Sequence, residues 1–69
     1  MKKIRVAVIG AGYLGKLHAE KYALIPQAAL VGVSDIELAK AEGLASRLKT
    51  KAYPSYRDLL GRVDAVSIA

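Results

Sequence analysis

The stretch Gly10-Ala11-Gly12-Tyr13-Leu14-Gly15 constrains this chain more than any other part of it. Glycines at this spacing are common, and taken alone the pattern says little. Its surroundings give it meaning. It follows directly on an apolar, β-branched run, Ile4-Arg5-Val6-Ala7-Val8-Ile9, and it opens a stretch of helical periodicity. A strand that turns into a helix through three glycines brings backbone N–H groups and the positive helix end against a phosphate. Each glycine then has its own reason. Gly10 allows a tight turn, Gly12 lets the backbone approach a pyrophosphate, and Gly15 lets the helix lie close to the strand.

Asp35 strengthens that reading. It stands 20 residues after Gly15 (35 − 15 = 20), at the end of a second apolar run. A carboxylate at about that distance accepts hydrogen bonds from the ribose hydroxyls of a dinucleotide. It also repels a 2′-phosphate. The next residue is Ile36 rather than an arginine, so the sequence favours NAD over NADP. The same position suits Asp35 to cap the following helix. The expected cofactor-binding residues are Gly10, Ala11, Gly12, Tyr13, Leu14, Gly15, Asp35, Ile36 and Ala69.

Periodicity organises the rest. Residues 3–9 read as a strand buried on both faces. Residues 13–25 read as a helix with Leu14, Leu17 and Ile25 as its apolar stripe, ended by Pro26. Residues 29–33 form a second strand. Residues 36–49 form a second helix, with Leu38, Ala41, Ala45 and Leu48 on one face and Gly43 as a weak point. Residues 51–53 are a minimal third strand before Pro54. Ser55-Tyr56-Arg57-Asp58 has the form of a capping box that starts a third, short helix ending at Gly61. Residues 65–69 form a fourth strand. The alternation predicts an α/β fold: a parallel sheet of four strands in the order 3-2-1-4, connected by three helices.

Composition removes other classes. The chain has 69 residues, 54% of them hydrophobic, which suits one small packed unit and argues against disorder. It has no cysteine, hence neither a disulfide framework nor a cysteine zinc site. No apolar run reaches the roughly 18 residues that span a bilayer. A soluble, cytoplasmic protein is expected, without a membrane partner. The net charge of +5 is spread over strand starts, turns and polar helix faces. No aromatic residues interleave with these cations as stacking platforms, so no nucleic-acid partner is expected.

The sequence assigns no catalytic or metal-binding residue. His18 is the single histidine and is read as a packed helix residue. Ser67 lies in the fourth strand with no neighbouring base, and no carboxylate pair or metal-ligand cluster stands out.

At the level of whole motifs, V-A-V-I-G-A-G-Y-L-G-K-L-H, L-V-G-V-S-D, A-Y-P-S-Y-R-D-L-L and V-D-A-V-S-I-A resemble the amino-terminal part of the Gfo/Idh/MocA oxidoreductases. The G-x-x-H spacing from Gly15 to His18 and the short helix before the D-A-V strand carry the resemblance beyond the glycines. It implies a Rossmann-type domain for NAD(P), with residues 1–69 as part of it. It further implies a separate substrate domain for a sugar, polyol or nucleotide-sugar, which often makes a homo-oligomer interface. The reaction implied is reversible hydride transfer between a carbinol carbon and the nicotinamide. The wording of the glycine turn is similar to that of the family's nucleotide-sugar dehydrogenases. The family's E-K-P lysine falls beyond Ala69, so the resemblance implies a longer parent enzyme and places no catalytic group in this chain. The alternative is a dinucleotide-binding or regulatory module without chemistry.

Overall fold

The computed structural model describes residues 3–69. Four strands, β1 (Ile4–Ile9), β2 (Ala28–Ser34), β3 (Lys51–Tyr53) and β4 (Ala65–Ile68), form one sheet. Its order is β3-β2-β1-β4 and every pair is parallel, as the alternation of elements predicts. Two α-helices, α1 (Tyr13–Leu24) and α2 (Leu38–Leu48), connect the first three strands. The third connection is not an α-helix but one turn of 3-10 helix, Tyr56–Leu59. The Ser55 hydroxyl does cap it. However, it accepts the Arg57 N–H at 3.2 Å, and not that of Asp58 as a capping box would require.

The core lies between the sheet and its two helices. Val8 and Val33 from the sheet meet Ala19 of α1 and Ala41, Leu44 and Ala45 of α2. A one-residue slip in the pairing of β1 with β2 sets this up. Val6 opposes Leu30, whereas Ala7 opposes Gly32, so Val31 has no opposite number. The slip places Leu30 and Val33 on the same face, and both join that core. Gly32 falls on the other face, where the Tyr53 ring covers it. A Cβ on Gly32 would stand 2.4 Å from that ring.

Helix α1 differs from expectation in the face it buries. In α1 the buried residues are Gly15 and Ala19, while Leu14 is 59% exposed and Ile25 lies outside the helix. Small residues win this face because α1 sits too close to the sheet for leucine. Ile25 is extended, with ψ 115°, the geometry that the following Pro26 imposes. Helix α2 starts two residues later than periodicity suggests and buries Leu44 in addition to Ala41 and Ala45. Its cap position is Glu37, not Asp35. At its other end Lys49 takes the left-handed conformation, φ 58° and ψ 43°. The Thr50 N–H reaches Ala45 O at 2.9 Å and the Lys49 N–H reaches Ser46 O at 3.4 Å, a Schellman closure.

The outer strand β4 is fastened at its start by Asp64. Its carboxylate accepts the Arg5 N–H at 2.8 Å and pairs with the Arg5 guanidinium at 3.1 Å. Asp64 in turn raises the pKa of that guanidinium, by hydrogen bond first and by charge second.

Candidate dinucleotide site

Because all strands run the same way, their carboxyl ends share one edge of the sheet. Residues just past those ends line a crevice of about 470 Å³: Ile9 and Gly10 after β1, Ser34 to Glu37 after β2, Pro54 to Tyr56 after β3, and Ala69 after β4. The chain leaves β1 toward β2 on one side, and β4 returns to pair with β1 on the other. Open α/β sheets bind ligands at such a reversal of strand order.

The glycine turn borders this crevice, and its three glycines differ physically. Gly10 has φ +100°, a conformation that L-residues rarely take, and its N–H is held by Ser34 O at 2.7 Å. Gly15 is buried against the turn itself. A Cβ there would lie 1.6 Å from the Gly10 carbonyl oxygen, so only glycine lets α1 sit where it does. Gly12 is different again: it has ordinary backbone angles, and a Cβ there would meet nothing within 4 Å. Neither turn geometry nor packing requires glycine at position 12. A bare backbone there leaves the approach to the start of α1 open. Gly12 is the N-cap residue, so the amides of Tyr13, Leu14 and Gly15 that follow have no acceptor within the helix.

Asp35 is tied to this turn directly. One carboxylate oxygen accepts the Ala11 N–H at 2.7 Å and the other accepts the Glu37 N–H at 2.7 Å. The two amides, Ala11 first, hold the carboxyl below its ordinary pKa, and the charge of Lys40 adds to the effect. The bond to Glu37 also explains the late start of α2, because it keeps residues 36 and 37 in a loop. Ile36 is fully exposed as a result.

The nine residues expected at the cofactor site do not all share one surface. Gly10, Asp35, Ile36 and Ala69 line the crevice. Ala11, Gly12 and Tyr13 line a neighbouring cleft of about 380 Å³ between α1 and α2. The Ala11–Asp35 bond is the wall between the two hollows. Leu14 lines neither, and Gly15 lies buried beneath the turn. The second cleft carries three cations that sequence reading did not connect with Asp35: Lys16, Lys40 and Arg47. Lys40 pairs with Glu37 at 3.6 Å, and Arg47 pairs with Glu20. Residue 36 alone does not reveal Lys40, which the first turn of α2 brings back toward Asp35.

The reading of Ser67 as lacking a base is also corrected. His18 Nδ1 lies 2.7 Å from Ser67 Oγ, bridging α1 and β4. Ser67 sits in the strand ladder opposite Val8, on the helix-covered face and outside the crevice, and with His18 it lines a separate hollow of about 260 Å³. Among the described residues no cluster of His, Cys, Asp and Glu could hold a metal ion, and no helix is long and apolar enough to cross a membrane.

Comparison with known proteins agrees with this geometry. Over 68 residues the chain is 48% identical to UDP-N-acetylglucosamine 3-dehydrogenase of Acidithiobacillus ferrooxidans, covering 99% of this chain and 21% of that protein. The crystal structure of the same enzyme superposes on all of this chain and 22% of its own, with a TM-score of 0.91 and 46% identity. The chain is 38% identical to inositol 2-dehydrogenase of Rubrobacter xylanophilus over 71 residues, 99% of this chain and 20% of that one. The myo-inositol dehydrogenase of Lactobacillus casei, solved with NAD(H) and myo-inositol, matches with a TM-score of 0.87 and 29% identity, over 97% of this chain and 21% of that one. The chain thus spans about a fifth of the length of these relatives. Residues 4–69 match the model described as oxidoreductase family, NAD-binding Rossmann fold. A parallel 3-2-1-4 sheet, a glycine turn under a helix start and an acid after β2 are what such a fold requires, and the chain belongs to the Gfo/Idh/MocA oxidoreductase family.

Proposed function

We propose that this chain is the cofactor-holding part of an NAD-dependent dehydrogenase that oxidises a secondary alcohol on a sugar-like substrate, a nucleotide-sugar or a cyclic polyol. The substrate class rests on the relatives, which are a UDP-sugar dehydrogenase and inositol dehydrogenases. The substrate-binding and proton-transferring groups would come from other parts of a longer protein.

The observation that carries the reading is the contrast at Gly12, where no packing demands glycine, beside Asp35, whose carboxylate is fixed at the crevice edge. Gly12 and the first amides of α1 would take the pyrophosphate, aided by the positive helix end. Asp35 would accept the adenosine ribose hydroxyls with the lone pairs that Ala11 and Glu37 leave over. Ile36 and Ala69 would border the adenosine. Bound there, NAD supplies the hydride acceptor of the reaction. Asp35 holds its negative charge where a 2′-phosphate would have to lie, which favours NAD over NADP.

The test is calorimetric titration of the intact protein with NAD, alongside a Gly12→Val variant. The unaltered protein should bind NAD with a dissociation constant between about 1 μM and 1 mM, the span common for enzyme–substrate constants. The variant should stay folded by circular dichroism and lose at least about tenfold in affinity, roughly 1.4 kcal/mol. Full retention of affinity in a folded G12V protein would remove Gly12 from the site. No heat of binding in the unaltered protein would end the reading altogether.

A further inference from the structure

His18 and Ser67 are 49 residues apart in sequence, yet their side chains meet at 2.7 Å in a half-buried position between α1 and β4. Their surroundings are Lys21 and Tyr22 of α1 and Ile25 just past its end. Neither residue lines the crevice or the cleft beside it. We propose that His18 and Ser67 form a positioning pair, which sets the end of β4 against the phosphate turn and so tunes dinucleotide affinity without touching the ligand. This rests on the function proposed above.

The argument starts from what holds β4. Among the described strands it pairs only with β1, with Ile9 opposite Ile68 as the last rung. The Ala69 N–H then continues the ladder to Ile9 O at 2.9 Å. Ladder bonds lie in the plane of the sheet. They fix the spacing of β4 from β1 but resist poorly a tilt of this strand out of the plane, toward or away from α1. The His18–Ser67 bond runs across that soft direction.

The consequence appears two residues further on. Ala69 is packed onto the glycine turn. A Cβ on Gly10 would approach the Ala69 carbonyl oxygen to 2.6 Å, and a Cβ on Gly15 would lie 3.6 Å from the Ala69 Cβ. A tilt of β4 therefore moves a group that leans directly on Gly10 and faces Gly15. Gly10 carries the positive-φ turn, and its carbonyl is the surface on which Gly15 and α1 rest. The pair links both ends of this arrangement: α1, whose first amides face the phosphates, and β4, whose last residue borders the crevice. The serine hydroxyl can donate to a bare ring nitrogen or accept from a protonated one, so either neutral tautomer of His18 keeps the link.

The test is a double-mutant cycle on the intact protein, read by NAD titration and by thermal melting. Ser67→Ala and His18→Leu should each weaken NAD binding about five- to tenfold, and the double variant should be no weaker than the worse single one. His18→Asn places an amide atom where Nδ1 stood and should restore affinity to within about twofold. That rescue separates positioning from mere packing, because asparagine does not replace the bulk of the ring. Lower melting temperatures with unchanged NAD affinity in S67A and H18L would overturn the proposal, as would losses that multiply in the double variant. If H18L fails to fold, S67A and H18N decide it alone, since S67A removes a single oxygen. Absence of NAD binding in the unaltered protein would instead overturn the proposed function, and this inference with it.

Discussion

The carboxylate of Asp35 accepts the Ala11 N–H at 2.7 Å, and so fastens the loop after β2 onto the glycine turn after β1. Its other oxygen takes the Glu37 N–H at the same distance. The acid expected to hold a ribose is thus also a brace for the surface on which the phosphates would lie. That dual role has consequences for stability as well as for binding.

One consequence is a dependence on acid. The two amides hold the Asp35 carboxyl below its ordinary pKa in the folded chain. Its contribution to stability is therefore complete above the unfolded value, about pH 4, and is lost as pH falls through the lower folded value. Asp35→Asn replaces one acceptor oxygen with a donor and should cost about 1–3 kcal/mol at pH 7. Urea unfolding at pH 7 and pH 3 checks this. The gap between the two proteins should be wider at pH 7 than at pH 3 and should go on shrinking at still lower pH. A gap independent of pH would mean that the charge on Asp35 is not what braces the turn.

A second consequence concerns the choice of dinucleotide. Lys40 acts on Asp35, and Lys16 and Arg47 share the cleft on the other side of the Ala11–Asp35 wall. With Asp35 removed, the charge of Lys40 would act on a 2′-phosphate in place of the carboxylate. Asp35→Ser should move the ratio of NADP to NAD affinity toward NADP by at least about tenfold, near 1.4 kcal/mol. Adding Lys40→Met to that variant should cancel a large part of the gain. Fluorescence titration with both reduced cofactors measures the ratio, which a general loosening of the turn would leave unmoved.

These cations show where sequence reading stops. The glycine turn and Asp35 are legible because their spacing is local and each has a distinct physical reason. The strand order is legible because short apolar runs alternate with helical ones. Lys40 and Ser67 are not legible. Lys40 returns to Asp35 only because α2 begins at Leu38, and that start depends on a bond from Asp35 to Glu37 that no periodicity reveals. Ser67 finds His18 only once β4 has crossed to the far side of β1. The apolar stripe of α1 misleads for a related reason. Leucines at helical spacing suggest a buried face, but the turn holds α1 so close that glycine and alanine take it.

The end of α2 offers a change that should stabilise the fold. Lys49 is the one described non-glycine residue with positive φ, at 58°. That conformation costs an L-residue roughly 1–2 kcal/mol, a cost that glycine avoids. The Schellman bonds are made by backbone atoms alone, so Lys49→Gly keeps them. The greater freedom of glycine in the unfolded chain offsets part of the gain, leaving about 0.5–1 kcal/mol of added stability. Thermal melting should show a rise of a few degrees, and a fall would mean that the lysine side chain matters there.

Gly15 and Gly43 make the opposite pair of predictions from one substitution. Both lie inside α-helices, where alanine is intrinsically better by about 1 kcal/mol. At Gly43 a Cβ meets nothing within 4 Å, so Gly43→Ala should gain about 0.5–1 kcal/mol. At Gly15 the same methyl would overlap the Gly10 carbonyl oxygen at 1.6 Å. That oxygen is backbone, fixed by a turn with positive φ and by the Gly10 N–H bond to Ser34, and it cannot swing aside. Helix α1 must instead lift off the sheet, which separates Ala19 from the core and draws His18 away from Ser67. Gly15→Ala should therefore cost more than about 3 kcal/mol despite the better helix propensity. Urea midpoints of the two variants should move in opposite directions. Equal shifts would mean that α1 does not pack as closely on the turn as the Gly10–Gly15 contact requires.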